Sequence, residues 1–228
     1  MLAERRVAEE MMDDPALDAD TYRDVVHDLA RVNTVTLARR PTLDFVKRAV
    51  GARRQFRLLD VGYGDGDMLR AVARWAERRS LDADLVGIDL NVRSLAAARE
   101  ATPEELAIDY QTGDYAALGD EPFDLIVSSL VAHHMTRAEL LSFLTFMDRH
   151  ARLGWFVNDL HRNAVAYMGW PLLAAAMRWH PIVRHDGRVS IARSFRTSDW
   201  EALLAEARIE GARTRRVFPF RLCVEKLR

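Results

Sequence analysis

The sequence predicts one α/β domain built on a doubly wound, seven-stranded sheet that is mostly parallel, with antiparallel C-terminal strands, N-terminal helices and a helical cap insertion. Three observations carry this. Five short apolar runs, 57–61, 84–89, 106–111, 123–129 and 152–159, alternate with helix-length segments at 68–79, 92–101 and 137–149. Right-handed crossovers turn such an alternation into a parallel sheet covered on both faces. The tail holds two more strand-like pieces, 216–219 and 221–227, joined too tightly for a crossover helix, so they pair antiparallel. The first run also leads directly into a turn with glycines at alternate positions, Gly62, Gly64 and Gly66, which then enters a helix.

The elements follow in order. Ahead of the first strand, Leu17, Val25, Leu29, Val32, Leu43, Phe45 and Val46 recur at mostly helical spacings, with Pro41 opening a second helix and Gly51 ending it. Thr136 and Glu139 have capping-box spacing and start the helix after the fourth strand. Ser198 and Glu201 have the same spacing and start a late helix that should end near Gly211. One domain, 1–228, thus reads as an N-terminal helical extension (1–51), a core (52–160), a cap insertion (161–197) and a final helix with two strands (198–228).

Composition removes several function classes. The 228 residues are 49% hydrophobic and 29% charged, which a disordered chain is not. A net charge of -1 advertises neither nucleic acid nor anionic lipid as partner. Cys223 is the sole cysteine, so an intramolecular disulfide, a thiolate zinc site and a CxxC pair are excluded, and a reducing cytoplasm fits. The N-terminus is charged from Glu4 onward without an apolar signal core, which argues against secretion. The stretch 164–179 is too short to cross a bilayer and is interrupted by Pro171 and Arg178, so no membrane insertion is expected.

The glycine turn is a ligand loop by its chemistry, because glycine permits backbone dihedrals and close approach that a Cβ forbids, at the sheet edge where ligands bind. Dinucleotide folds use G-x-G-x-x-G around a pyrophosphate, whereas here the spacing is G-x-G-x-G, with Asp60 before it and Asp65 and Asp67 within and after it. Three carboxylates suit a cationic ligand better than a phosphate.

With these residues, and over roughly 56–228, the sequence resembles the class I S-adenosylmethionine-dependent methyltransferases, whose fold is Rossmann-like. Asp60-Val61-Gly62-Tyr63-Gly64-Asp65-Gly66 matches that family's first motif, Asp89 in Gly87-Ile88-Asp89-Leu90 its second, and Asp114 in Gly113-Asp114-Tyr115 its third. The resemblance implies S-adenosylmethionine as cofactor, with Asp89 on the ribose hydroxyls, Asp114 at the adenine amine, and Leu90, Tyr115 and Ser129 alongside. Tyr63 either packs on the cofactor or covers the loop.

Relatives acting on exocyclic base amines or glutamine place a (D/N/S)PP(Y/F) tetrapeptide after the fourth strand. Here Ser128-Ser129-Leu130-Val131 stands instead, which favours a small-molecule acceptor. Methyl transfer needs alignment and removal of the acceptor's proton, and a histidine of ordinary pKa ~6.5 suits the second task. His134 is the leading candidate by resemblance, with His133 and His161 in reserve and Asp159 as an orienting carboxylate near His161. No carboxylate-rich magnesium cluster accompanies them, so metal-independent transfer is expected. The long 161–197 segment supplies Tyr167, Met168, Trp170 and Met177 as apolar walls over an acceptor, ahead of a polar turn at 184–187. Core packing or a homodimer interface is the competing use of those side chains. The resemblance to bacterial quinone and polyketide methyltransferases implies O-methylation of a hydroxylated aromatic. C-methylation, carboxyl methylation, an NAD(P)-dependent oxidoreductase and a non-catalytic cofactor binder are the rivals.

Overall fold

The computed structural model describes residues 2–228. Its sheet has strand order β3-β2-β1-β4-β5-β7-β6, built from β1 (Gln55–Val61), β2 (Asp82–Asp89), β3 (Asp109–Thr112), β4 (Phe123–Ser129), β5 (Ala151–Leu160), β6 (Arg213–Val217) and β7 (Arg221–Leu227). The first five are mutually parallel, and β7 runs antiparallel to both β5 and β6. Connections leave β1 in opposite directions along the sheet, so the carboxyl ends of β1 and β4 form the crevice where ligands bind in open α/β sheets.

The buried runs of the central strands pack on both faces. One face is covered by α2 (Arg39–Val50), α3 (Asp67–Arg78) and α4 (Val92–Ala101), around Phe45, Leu58, Leu69 and Phe156. The Phe45 and Phe156 rings stack at 4.9 Å. The other face is covered by α5 (Arg137–His150) and by α8 (Thr197–Glu206), around Ile126, Phe143, Trp155 and Trp200. The box expected at α5 is present: the Glu139 amide donates to Thr136 Oγ1 and the Thr136 amide to Glu139 Oε2 at 2.7 Å.

Five details differ from the sequence reading. Strand β3 begins at Asp109 rather than 106, and β6 covers 213–217 rather than 216–219. Helix α8 starts two residues early, because Asp199 rather than Glu201 accepts the amide of the residue before the helix, Arg196, at 2.7 Å. It stops at Glu206, with Arg208 turning to φ 56° to break it. The expected polar turn at 184–187 lies inside α7 (Pro181–Arg193), which pairs with α6 (Ala164–Ala176) to form the cap.

Helix α1 (Ala19–Val35) bridges this cap to the core. Val25 and Val32 pack on Ala174, Ile182 and Val183, while Tyr22 and Val26 pack on Ala97 of α4. The residues before α1 form a strap across the cap. Both Asp186 oxygens accept backbone amides from it, Met11 and Met12, at 2.9 Å each. Arg5 donates to the carbonyls of His133 and Met135 at 2.7 and 3.0 Å. No helix among the described residues is long and apolar enough to cross a membrane.

Candidate active site

A cavity of about 650 Å³ lies between the carboxyl edge of the sheet and the roof made by the strap, α1, α6 and α7. The turn after β1 forms its floor because three glycines take left-handed backbone conformations, with φ of 78°, 58° and 79° at Gly62, Gly64 and Gly66. A Cβ on Gly62 would strike Val131, and one on Gly66 would strike the Tyr110 hydroxyl. At Gly64 a Cβ would meet only open space, so this position is kept clear toward the cavity.

Asp60, the last residue but one of β1, is 1% exposed. Burial, with the charges of Asp67 and Asp89 added, pushes its carboxyl up to about 8. Its Oδ1 finds no hydrogen-bond partner among the described residues. Asp89 closes β2 and receives the Gly64 amide on Oδ2 and the Asn91 amide on Oδ1, both at 2.9 Å. Burial nevertheless raises its pKa. The other two loop acids are neutralised by arginine: Asp65 pairs with Arg70 at 3.1 Å, and Asp67 with Arg39 at 3.1 Å. Of the three loop carboxylates only Asp60 is left without an arginine partner among the described residues, and Asp89 joins it at the sheet edge.

Tyr63, Leu90, Tyr115 and Ser129 reach the same cavity. Tyr63 is nearly buried, its ring 4.9 Å from that of Tyr110, and Leu90 stands 73% exposed at the mouth. Two expected cofactor residues do not line it. Gly66 lies behind the turn against Tyr110, and Asp114 is an exposed cap whose Oδ1 accepts the Ala116 amide at 2.9 Å. After β4, the Ser129 hydroxyl lies 3.3 Å from that of Thr42, and Leu130 turns through φ 62°, an uncommon backbone for a leucine.

Three histidines border the cavity, each in different electrostatic company. His133 is 2% exposed, with Nδ1 2.7 Å from Asp159 Oδ1 and its own amide donating to Asp159 Oδ2. Burial alone would lower its pKa, but the charge and hydrogen bond of Asp159, joined by Glu10, raise it to about 9. His134 is partly exposed, with Nδ1 3.0 Å from Asp13 Oδ2. His161 is depressed by burial and then by Arg216, Arg196 and Arg162. Asp159, expected to orient His161, serves His133 instead.

Of the expected acceptor walls only Trp170 faces the cavity. Met168 and Met177 are 73% and 43% exposed on the outer side of the cap, and Tyr167 is buried under the Arg188 guanidinium, 4.4 Å from its ring centre. The apolar walls are Val25, Leu29, Trp170, Leu173 and Val183. Glu10 and Asp13 also line the cavity, and sequence reasoning assigns neither a site role. They sit in a charged, aperiodic segment, and only the tertiary fold brings Asp13 to His134, 121 positions away.

Residues 58–154 match the family model described as a methyltransferase domain. An uncharacterized methyltransferase of Synechocystis is 31% identical over 97 residues, 42% of this chain and 45% of that protein. The trans-aconitate 2-methyltransferase of Mycobacterium ulcerans is 36% identical over 96 residues, 41% of this chain and 32% of that protein. The chain thus spans less than half the length of the curated relatives it matches. Among solved structures, the magnesium protoporphyrin IX methyltransferase from Synechocystis with bound S-adenosylhomocysteine superimposes with a TM-score of 0.58 at 15% identity, over 95% of this chain and 91% of that one. A plantazolicin methyltransferase with a desmethyl substrate analogue and S-adenosylhomocysteine gives 0.63 at 13% identity, over 92% and 96%. The chain thus carries a match to a methyltransferase domain over residues 58–154, set in the Rossmann-like fold of the S-adenosylmethionine-dependent methyltransferases it resembles in sheet order.

Proposed function

We propose that the chain binds S-adenosylmethionine over the β1 turn and moves its methyl group to a hydroxyl of a small, largely apolar aromatic acceptor held under the cap. One observation carries the reading: a single cavity joins the glycine floor and Asp89 to the apolar walls of α1, α6 and α7. The residues present fit the cofactor. The open space over Gly64 admits a ligand against the backbone, and the unpartnered Oδ1 of buried Asp60 suits a cationic one. Bound there, the cofactor supplies a methyl group on a good leaving group.

Asp60 and Asp89 set the negative charge that holds it, with Asp89 at the ribose and Leu90 and Tyr115 beside the base. The apolar roof excludes water and orients the acceptor oxygen, the main requirement for a methyl already activated. The cluster of His133, His134, Glu10 and Asp13 removes the acceptor's proton, and His134 is its most accessible histidine. Removing a group of this kind costs about 10²–10⁴-fold in rate. His134→Gln is therefore expected to lose turnover by that factor while cofactor affinity stays within about twofold. The trans-aconitate relatives favour a carboxylic acceptor as a second reading. Calorimetric titration with S-adenosylmethionine, then labelled-methyl transfer to a panel of phenols, quinols and carboxylic acids, tests both. Tight NADH binding with no binding of S-adenosylmethionine overturns the proposal.

A further inference from the structure

Glu10, His133 and His134 stand together at the strap side of the cavity, with ligand-capable atoms all within 4.8 Å of one another. Each imidazole is held at Nδ1 by a different carboxylate, His133 by Asp159 at 2.7 Å and His134 by Asp13 at 3.0 Å. Both Nε2 atoms are thereby turned to Glu10, but neither reaches hydrogen-bonding distance of 2.7–3.2 Å. The separations are 3.5 Å from His133 Nε2 to Oε1 and 3.7 Å from His134 Nε2 to Oε2. Glu10 is itself fixed, its Oε1 accepting the Ser190 hydroxyl at 2.8 Å. Arg193 lies 3.7 Å from both Glu10 and Asp13. It balances charge there without bonding directly to the Glu10 lone pairs.

We propose that Glu10, His133 and His134 form a binding site for a divalent transition-metal ion, with Zn²⁺ as the type case, open toward the acceptor side of the cavity. The donor set, two imidazole nitrogens and a carboxylate, suits borderline ions of the first transition row and leaves positions free for an exogenous oxygen. The gaps also fit. Ligand atoms on a tetrahedral ion with bonds near 2.05 Å stand ~3.4 Å apart, near the two His-to-Glu10 separations and within a small side-chain adjustment of a set that lies within 4.8 Å throughout. The second observation is the outer ring of partners. Metal-bound histidines donate their other nitrogen to a carboxylate, and ligating carboxylates are hydrogen-bonded in turn. Here all three groups carry such a partner: Asp159, Asp13 and Ser190. Such an ion would hold and acidify an acceptor hydroxyl, whose proton would pass to solvent or to the partly exposed Asp13 carboxylate while both histidines serve as ligands, so this inference deepens the methyl-transfer reading and replaces the metal-independent transfer expected from the sequence.

The test is metal uptake by the full chain, stripped with chelator, dialysed against Zn²⁺ and counted by elemental mass spectrometry. The wild type is expected to bind one ion per chain. Glu10→Gln and His134→Gln should each weaken uptake at least about 10-fold, and Asp159→Asn, one step out, by about 10–100-fold. His150→Gln, on the far helix α5, should change nothing. Because Glu10 is buried, circular dichroism confirms that each variant is folded, and His134, being partly exposed, is the safer substitution. In parallel, Co²⁺ should give a visible absorption band in the wild type that His134→Gln lacks. A wild type that takes up no Zn²⁺, or uptake unaltered in both Glu10→Gln and His134→Gln, overturns the site. Uptake is read without cofactor or acceptor, so its failure would leave S-adenosylmethionine binding untouched, and the reverse also holds.

Discussion

Asp60 carries the sharpest electrostatic expectation at the scale of single residues. Its folded-state pKa of about 8 lies far above that of an unfolded aspartate, about 3.9. The protonated folded state is favoured, so the stability contributed by this group is full below about pH 4 and is lost as pH climbs through about 8. A cationic ligand prefers the ionised form, and S-adenosylmethionine binding should therefore expel a proton near neutrality. Calorimetry in two buffers of different ionisation enthalpy should detect that release in the wild type and lose it in Asp60→Asn. The cofactor's own amine titrates in both proteins, so their difference isolates Asp60. Equal proton release from the two would refute the assignment. The glycines offer a second contrast. Gly62→Ala forces a side chain at φ 78° into Val131 and should destabilise the free protein by about 1–3 kcal/mol. Gly64→Ala meets open space and should cost less stability, yet it fills the ligand's approach and should weaken cofactor affinity more than 10-fold. Thermal melts paired with titrations would separate them.

Among the elements, the cap shows where a sequence pattern stops being informative. The apolar content of 164–176 is visible in the chain, but it surrounds the helix: Val165, Trp170 and Leu173 line the cavity, while Met168 and Leu172 face solvent. Periodicity reads a helix with one apolar stripe and cannot choose between walls when there are two. The glycine at 187 misled for a related reason. It reads as a turn, yet it sits inside α7 because a Cβ there would strike the Trp170 indole. By contrast, the β1 turn, the α5 capping box and the two strand-end acids were legible, since each depends on residues within a few positions. Gly187 supplies a prediction whose sign is diagnostic. In an open helix position, glycine to alanine stabilises by about 1 kcal/mol. Here Gly187→Ala should instead lower stability by about 1–3 kcal/mol, measured by chemical denaturation. An increase would mean that the Trp170 contact does not constrain the cap.

Over the whole molecule, the cavity is closed by the part of the chain most remote in sequence from the site. Glu10 and Asp13 enter it from the strap, and the strap is fastened to α7 by Asp186, whose oxygens take the amides of Met11 and Met12, and beside the histidines by Arg5. None of this is readable from spacing, because no local rule couples residue 11 to residue 186. The arrangement makes Asp186 a latch on the acceptor side that does not touch the cofactor floor. Asp186→Ala leaves two amides without acceptors, and each such loss costs about 1–3 kcal/mol when the group stays buried. The strap should therefore open locally rather than the domain unfold, since local opening is cheaper than global. Hydrogen exchange at Met11 and Met12 should accelerate by at least about 10-fold, and proteolysis should cut before α1 first, with S-adenosylmethionine affinity within about twofold of wild type. Because Glu10 and Asp13 leave the cavity with the strap, turnover should fall while the cofactor remains bound. Exchange rates unchanged at Met11 and Met12, or cofactor affinity lost together with the strap, would show that roof and floor are one unit rather than two.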